Sequence, residues 1–184
     1  NAELFLDPNT FSKDGTTSLA EISFSKDGSK AAYKISEGGS DWQKIIIMDA
    51  ISKKTEGDTL LDIKFGSLSW KGNEGFYYST YDRPKEGSFL AGKTDNHKLY
   101  FHKLGTAQKD DQLIFGGSAK QFRYLYGGVS EDQKWLLISG ANSTYGNELY
   151  VLNLLTPGAA IVQMVSVMKN QHTVIDVEGQ LFYI

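Results

Sequence analysis

A short apolar–polar alternation, a polar turn and a second alternation recur four times along this 184-residue chain, and this repeat limits the fold more than any other feature. Its anchors are Phe24-Ser25, Leu68-Ser69, Val129-Ser130 and Asp176-Val177, spaced by 44, 61 and 47 residues. In the first set, Ala20–Ser25 alternates as a half-buried strand should, and Asp27-Gly28 supplies the positive φ angles of a tight hairpin. Lys30–Ile35 returns, the β-branched run Lys44–Ala50 follows, and Thr59–Leu61 reads as a short outer strand. The second set comprises Phe65–Trp70, a turn at Lys71-Gly72-Asn73, Gly75–Thr80, Lys98–Leu104 and Gln112–Phe115. The third comprises Tyr126–Ser130, a turn at Glu131-Asp132-Gln133, Lys134–Ser139, Glu148–Leu154 and Ile161–Ser166. Thr173–Val177, a Glu178-Gly179 turn and Gln180–Ile184 open a fourth.

Four antiparallel strands repeated with a period in the forties are the sequence form of propeller blades. The expected fold is all-β: a partial β-propeller over residues 3–184, with about three four-stranded antiparallel blades at approximately 17–61, 63–116 and 124–168 and the start of the next at 172–184. A β-sandwich is the alternative, but a sandwich needs no internal period. The 61-residue spacing carries an insertion, Arg83–Asn96, that reads as a flexible loop. Blades must stack to bury both faces, and three and a half of them do not close a ring, so the chain reads as part of something larger. The opening Asn1-Ala2 reads as an expression-tag remnant.

Composition removes several classes of function. A net charge of −3 provides no basic field for nucleic acid or an anionic membrane, and no apolar run approaches a membrane span. Without cysteine there is no disulfide, thiolate metal site or cysteine nucleophile; the compartment, cytoplasmic or periplasmic, stays open. No G-x-S-x-G, G-x-G-x-x-G or Walker loop occurs. Ser23/Lys26 and Ser166/Lys169 match S-x-x-K, but on strands these pairs point to opposite faces. His97 and His102, five apart on one strand, likewise face opposite sides and read as packing histidines, while His172 sits in a linker. Asp14 and Asp27 read as turn formers rather than calcium ligands. Asn142-Ser143-Thr144 is a formal glycosylation sequon. No cofactor or metal is expected.

The ordered stretches Leu4–Leu19 (LFLDPNTFSKDGTTSL), Phe24–Tyr33 (FSKDGSKAAY), Ser36–Trp42 (SEGGSDW), Ile63–Trp70 (IKFGSLSW), Gly75–Pro84 (GFYYSTYDRP), His97–Phe115 (HKLYFHKLGTAQKDDQLIF) and Asn147–Leu154 (NELYVLNL) resemble the propeller of the prolyl oligopeptidase family of serine peptidases. The resemblance implies a seven-bladed propeller capping an α/β-hydrolase domain that carries Ser, Asp and His in the same full-length chain. It implies that the propeller admits only short proline-containing peptides, which are cut after proline, and that this region itself has no peptidase activity. By motif position Phe65 matches the family's pocket phenylalanine. Tyr124 falls where relatives often carry Met, and Thr144, or equally Ser143, falls near a position where they often carry Cys. The competing function is a non-enzymatic propeller scaffold that binds proteins. Exposed blade edges are expected to drive self-association.

Overall fold

The computed structural model describes residues 3–57, 59–82 and 94–184. Asn1-Ala2 and most of the Arg83–Asn96 insertion therefore lie outside the described residues. Fifteen strands appear among the described residues, with no α-helix and three short 3-10 turns. The first sheet takes β1 (Thr17–Phe24), β2 (Lys30–Glu37), β3 (Gln43–Asp49) and β4 (Lys54–Thr55) in order, and β5 (Leu60–Ile63) also pairs with β3. The second is β6 (Ser69–Lys71), β7 (Gly75–Thr80), β8 (Lys98–Lys103) and β9 (Gln112–Gly116). The third is β10 (Tyr124–Val129), β11 (Trp135–Ala141), β12 (Glu148–Asn153) and β13 (Val162–Val165). A hairpin of β14 (Asp176–Glu178) and β15 (Leu181–Tyr183) follows. All pairings are antiparallel, and the sheets do not close a ring.

In the first and third sheets the repeated turn is built from the same hydrogen bonds. Ser25 Oγ donates to Asp27 Oδ1 and accepts from the Lys30 amide, Asp27 Oδ1 also accepts from the Ser29 amide, and Gly28 takes φ +74°. In the third sheet Ser130, Asp132 and Trp135 reproduce the pattern, with Gln133 at φ +62° in place of the glycine. A short polar side chain that satisfies local amides makes these reversals independent of the core.

Two apolar layers join the sheets. Ile45, Ile47, Leu60 and Ile63 of the first sheet meet Leu68, Trp70, Phe76 and Tyr78 of the second. On the second sheet's other face Tyr77 and Leu99 meet Phe122, Leu125, Leu136, Ile138 and Tyr150 of the third. Every residue of β7 is consequently buried. The first sheet's outer face is covered by Phe5, Leu6 and Phe11. On and beyond the third sheet's last strand, Val162, Val167, Ile175, Leu181 and Ile184 remain exposed.

Two strand expectations change. The expected outer strand at 59–61 is Leu60–Ile63, with the extra strand Lys54–Thr55 before it on the same partner. The expected strand over Phe65–Trp70 shrinks to Ser69–Lys71, because Phe65 sits at φ +56°, in the left-handed region where no strand continues.

Candidate functional site

The chain direction sorts the connections to two ends of the sheets. The Ser25, Gly72 and Ser130 turns share one end. At the other lie the 38–42 reversal, the 64–66 loop before β6, Tyr81 after β7, and the start of β10, where Tyr124 pairs with Ala141.

Phe65 is placed by its neighbours' backbones rather than by its own preference. The Lys64 amide donates to Thr80 Oγ1 at 3.1 Å, and Thr80 in turn donates to the Asp62 carbonyl at 2.6 Å. The Gly66 carbonyl accepts from the buried Lys34 ammonium, which also pairs with Glu21 at 2.8 Å. Gly66 lies so close to Ser79 that a Cβ there would sit 2.0 Å from the Ser79 carbonyl oxygen. Constraints on both sides hold Phe65 in a backbone conformation that costs about 1–3 kcal/mol for a non-glycine residue. The result is a ring left 40% exposed at the end of the sheets.

That ring lies 6.4 Å from Tyr124 and edge-on to Tyr81 at 6.3 Å, centroid to centroid. Tyr81 is buried, donates its hydroxyl to the Arg123 carbonyl and stacks on His97 at 4.2 Å. Burial drives the Tyr81 phenol well above its usual pKa and raises Tyr126 in the same direction. Tyr81 and Tyr126 therefore present neutral aromatic faces at ordinary pH.

The 38–42 reversal belongs to this end. Gly38 and Gly39 take φ +59° and +71°, Ser36 Oγ donates to the Ser40 carbonyl, and the Trp42 amide donates to Ser40 Oγ. Asp41 and Trp42 are thereby brought to Lys64. Its ammonium lies 3.5 Å from Asp41 Oδ2, 5.4 Å from the Trp42 ring centre and 5.1 Å from that of Phe65. Cation–π contact with two rings fixes the Lys64 side chain beside Phe65. A cleft of about 590 Å³ lies along this reversal, lined by Trp42, Lys44, Leu61 and Lys64 among others.

Tyr124 also lines a cavity of about 290 Å³ with Tyr126, Ser139, Ser143, Thr144 and Asn147. Ser143 and Thr144 both reach it. The Ser143 hydroxyl is engaged within its own turn, bonded to the Tyr145 amide and carbonyl. The structure thus brings Phe65 together with Tyr124, and Tyr124 together with Thr144; Phe65 does not line the second cavity.

His97, Tyr81, Lys64 and Trp42 complete this end without having been singled out as site residues. His97 and His102 are both fully buried and turn to opposite sides: His97 toward Tyr81 and Tyr126, His102 toward Phe76 with Nδ1 2.8 Å from Asp111 Oδ1. Among the described residues no three His, Asp or Glu side chains converge as metal ligands would.

The family model for the prolyl oligopeptidase N-terminal β-propeller domain matches residues 1–184. The chain belongs to the prolyl oligopeptidase family. It is 53% identical over 182 residues to a prolyl endopeptidase of Elizabethkingia miricola, and equally to that of Elizabethkingia meningoseptica, covering 99% of this chain and 26% of each relative. The propeller sequence thus spans about a quarter of the length of these relatives. One solved prolyl endopeptidase, from work on inter-domain dynamics in catalysis and specificity, superposes with a TM-score of 0.84 at 29% identity over 96% of this chain and 25% of its own. Prolyl oligopeptidase B of Galerina marginata, solved with a 35mer hydrolysis and macrocyclization substrate, superposes at 0.86 with 24% identity over 98% of this chain and 27% of its own, a likeness of fold.

Proposed function

We propose that this propeller is the peptide-admitting part of a serine peptidase that cuts short peptides after proline. In this reading the sheets are blades at approximately 17–61, 63–116 and 124–168, with the next starting at 172. The Ser-His-Asp machinery lies in a hydrolase domain elsewhere in the same full-length chain, and the propeller residues break no bond. Phe65, Tyr124 and Thr144 would contact the peptide at the end of the sheets that faces the hydrolase domain.

The observation that carries the reading is the backbone of Phe65. A strained, part-exposed aromatic fixed from both sides, with a second ring 6.4 Å away, is costly to fold and leaves much of its surface outside the core. Such an arrangement suits recognition of an apolar ring, as in a proline-containing peptide, by preformed aromatic faces.

The test uses the full-length protein with a short proline-containing peptide. Phe65→Ala and Tyr124→Ala are expected to raise KM several-fold with kcat largely retained, as loss of contacts made equally in ground and transition states does. Thr144→Ala should have a smaller effect in the same direction. A full-length gene that carries no G-x-S-x-G beyond Ile184, or unchanged KM in both aromatic variants, would overturn the reading in favour of a binding scaffold. We also propose that the isolated 184-residue piece self-associates through its exposed apolar residues, Val162, Ile175 and Leu181 among them. A strictly monomeric species by light scattering at high concentration refutes this.

A further inference from the structure

His97 is a buried histidine that joins no metal-ligand cluster among the described residues, yet its amide and both ring nitrogens are hydrogen-bonded. Its own amide donates to the Phe122 carbonyl at 2.8 Å. Its Nδ1 lies 2.9 Å from the Leu125 amide, and its Nε2 lies 3.1 Å from the Lys64 carbonyl. An amide N–H can only donate, so Nδ1 must be the unprotonated nitrogen. The single ring proton is then on Nε2, where the Lys64 carbonyl accepts it. Burial pushes the imidazole pKa down to about 4, which keeps this neutral form in place at ordinary pH.

The two groups that His97 holds are one residue away from the two rings at the site. Lys64 precedes Phe65, and Leu125 follows Tyr124. The ring stacked on His97, Tyr81, donates its hydroxyl to Arg123, the residue before Tyr124, so the Tyr124 backbone is bonded on both sides. The first of these groups lies in the loop leading into the second sheet and the other begins the third sheet. His97 is therefore the one side chain among those named that is bonded to the backbone beside both rings.

We propose that His97 is a positioning residue: its imidazole, bonded at once to the Lys64 carbonyl and the Leu125 amide, sets the separation and tilt of the Phe65 and Tyr124 rings. Its effect on peptide affinity rests on the function proposed above; its effect on ring geometry does not. The two bonds can be removed one at a time. In His97→Asn the side-chain oxygen can replace Nδ1 for Leu125 but does not reach Lys64. In His97→Gln the amide nitrogen can replace Nε2 for Lys64 but gives up Leu125. His97→Phe keeps a flat ring that can stack on Tyr81, at a somewhat larger volume, and loses both bonds.

The experiment uses full-length protein labelled selectively at His, Phe and Tyr. In the unmodified protein the His97 nitrogen signals should show Nε2 protonated and Nδ1 bare; a proton on Nδ1 overturns the proposal, and this holds even if the variants fail to fold. The ring-to-ring contact signal between Phe65 and Tyr124 should weaken in Asn and Gln variants and disappear in the Phe variant. Its persistence in all three overturns the proposal. With a short proline-containing peptide, the Asn and Gln variants should each raise KM about 3- to 10-fold with kcat retained, and the Phe variant more. Unchanged KM in these variants alongside a raised KM in Phe65→Ala and Tyr124→Ala also overturns it. If Phe65→Ala and Tyr124→Ala leave KM unmoved, the peptide-contact reading falls instead, and the ring-contact measurement decides the role of His97 alone.

Discussion

At the turn end of the sheets, Ser25 and Ser130 make nearly the same set of hydrogen bonds to residues two and five positions away. At the opposite end, Phe65, Tyr81 and His97 are held by partners from other strands and other sheets. The turn end is polar and repeated, with bonds that are mostly local apart from the ties of Asn73 to Asp27 and of Gln133 to Gly72; the site end is aromatic, long-range and occurs once. Strain follows the same division. Gly28 relieves the left-handed turn position, whereas Phe65 occupies that conformation with a bulky ring and is kept there by its surroundings. What a repeat supplies is scaffold, and what breaks the repeat is the candidate for function.

The comparison predicts a large effect where the site end is tightest. A Cβ at Gly66 would meet the Ser79 carbonyl oxygen at 2.0 Å, and that oxygen is backbone and cannot swing away. Gly66→Ala should therefore destabilise the fold by roughly 3–5 kcal/mol, with a lowered denaturation midpoint and unchanged m-value. Ala in place of the open turn glycine Gly28, where nothing lies within 4 Å, should cost only about 1 kcal/mol from its φ of +74°. Equal costs would show that the 64–66 loop moves freely and that Phe65 is not held.

Acid separates the two ends by pH. His97 has a folded pKa near 4, below its ordinary value of 6.5, so between these limits the unfolded chain binds the extra proton. Stability must then fall as pH drops from 6.5 toward 4, by on the order of 2–3 kcal/mol at the lower limit. At the turn end Asp27 and Asp132 are held below the usual carboxylate range, Asp27 chiefly by the Ser29 amide and Asp132 chiefly by the Ser130 hydroxyl. Their contribution is present above the unfolded carboxylate pKa and is lost only as pH falls below about 3.9. Hydrogen exchange followed by pH should show the Leu125 amide losing protection before the Lys30 amide does. Simultaneous loss, or Lys30 first, would break the comparison.

The same contrast explains what could be read from the residues. The Ser25-Asp27-Gly28 turn is legible because the bonds that close it lie within five residues, and the strand order follows from turn chemistry and alternation; the Asn73 bond to Asp27 is not legible in this way. Phe65 was legible only through the likeness of KFGSLSW to relatives; alternation alone places it on a strand. Its true conformation depends on Ser79, Thr80 and Lys34, which no local pattern joins to it. His97 reads as a packing residue, and it is one. Its bonds to Lys64 and Leu125 span 33 and 28 residues of sequence and appear only when the second and third sheets are stacked. The Gly-Gly-Ser-Asp-Trp reversal could be read as a turn, but its use, bringing Trp42 and Asp41 to Lys64, could not.

Individual turn bonds should matter less than the site-end contacts. Ser25→Ala removes an acceptor from the part-buried Lys30 amide and should cost about 1 kcal/mol, as should Ser130→Ala for the Trp135 amide. Because the two turns share this bonding pattern, the two losses should be similar. A marked difference between them would mean that a contact outside the repeat supports one turn.

Gln133 tests that point with the smallest effect. It stands where the first turn has Gly28, at φ +62°, so glycine there should recover about 1 kcal/mol of backbone strain. Its side chain also accepts from the Gly72 amide at 2.7 Å, which ties the third sheet's turn to the second's. A hydrogen bond of that kind contributes about 1 kcal/mol net, so Gln133→Gly should change stability by less than about 0.5 kcal/mol in either direction. Gln133→Ala keeps the strain and loses the bond, and should cost about 1 kcal/mol. If glycine proves as damaging as alanine, the stitch between turns outweighs the local geometry, and the turn end too is held by long-range contacts.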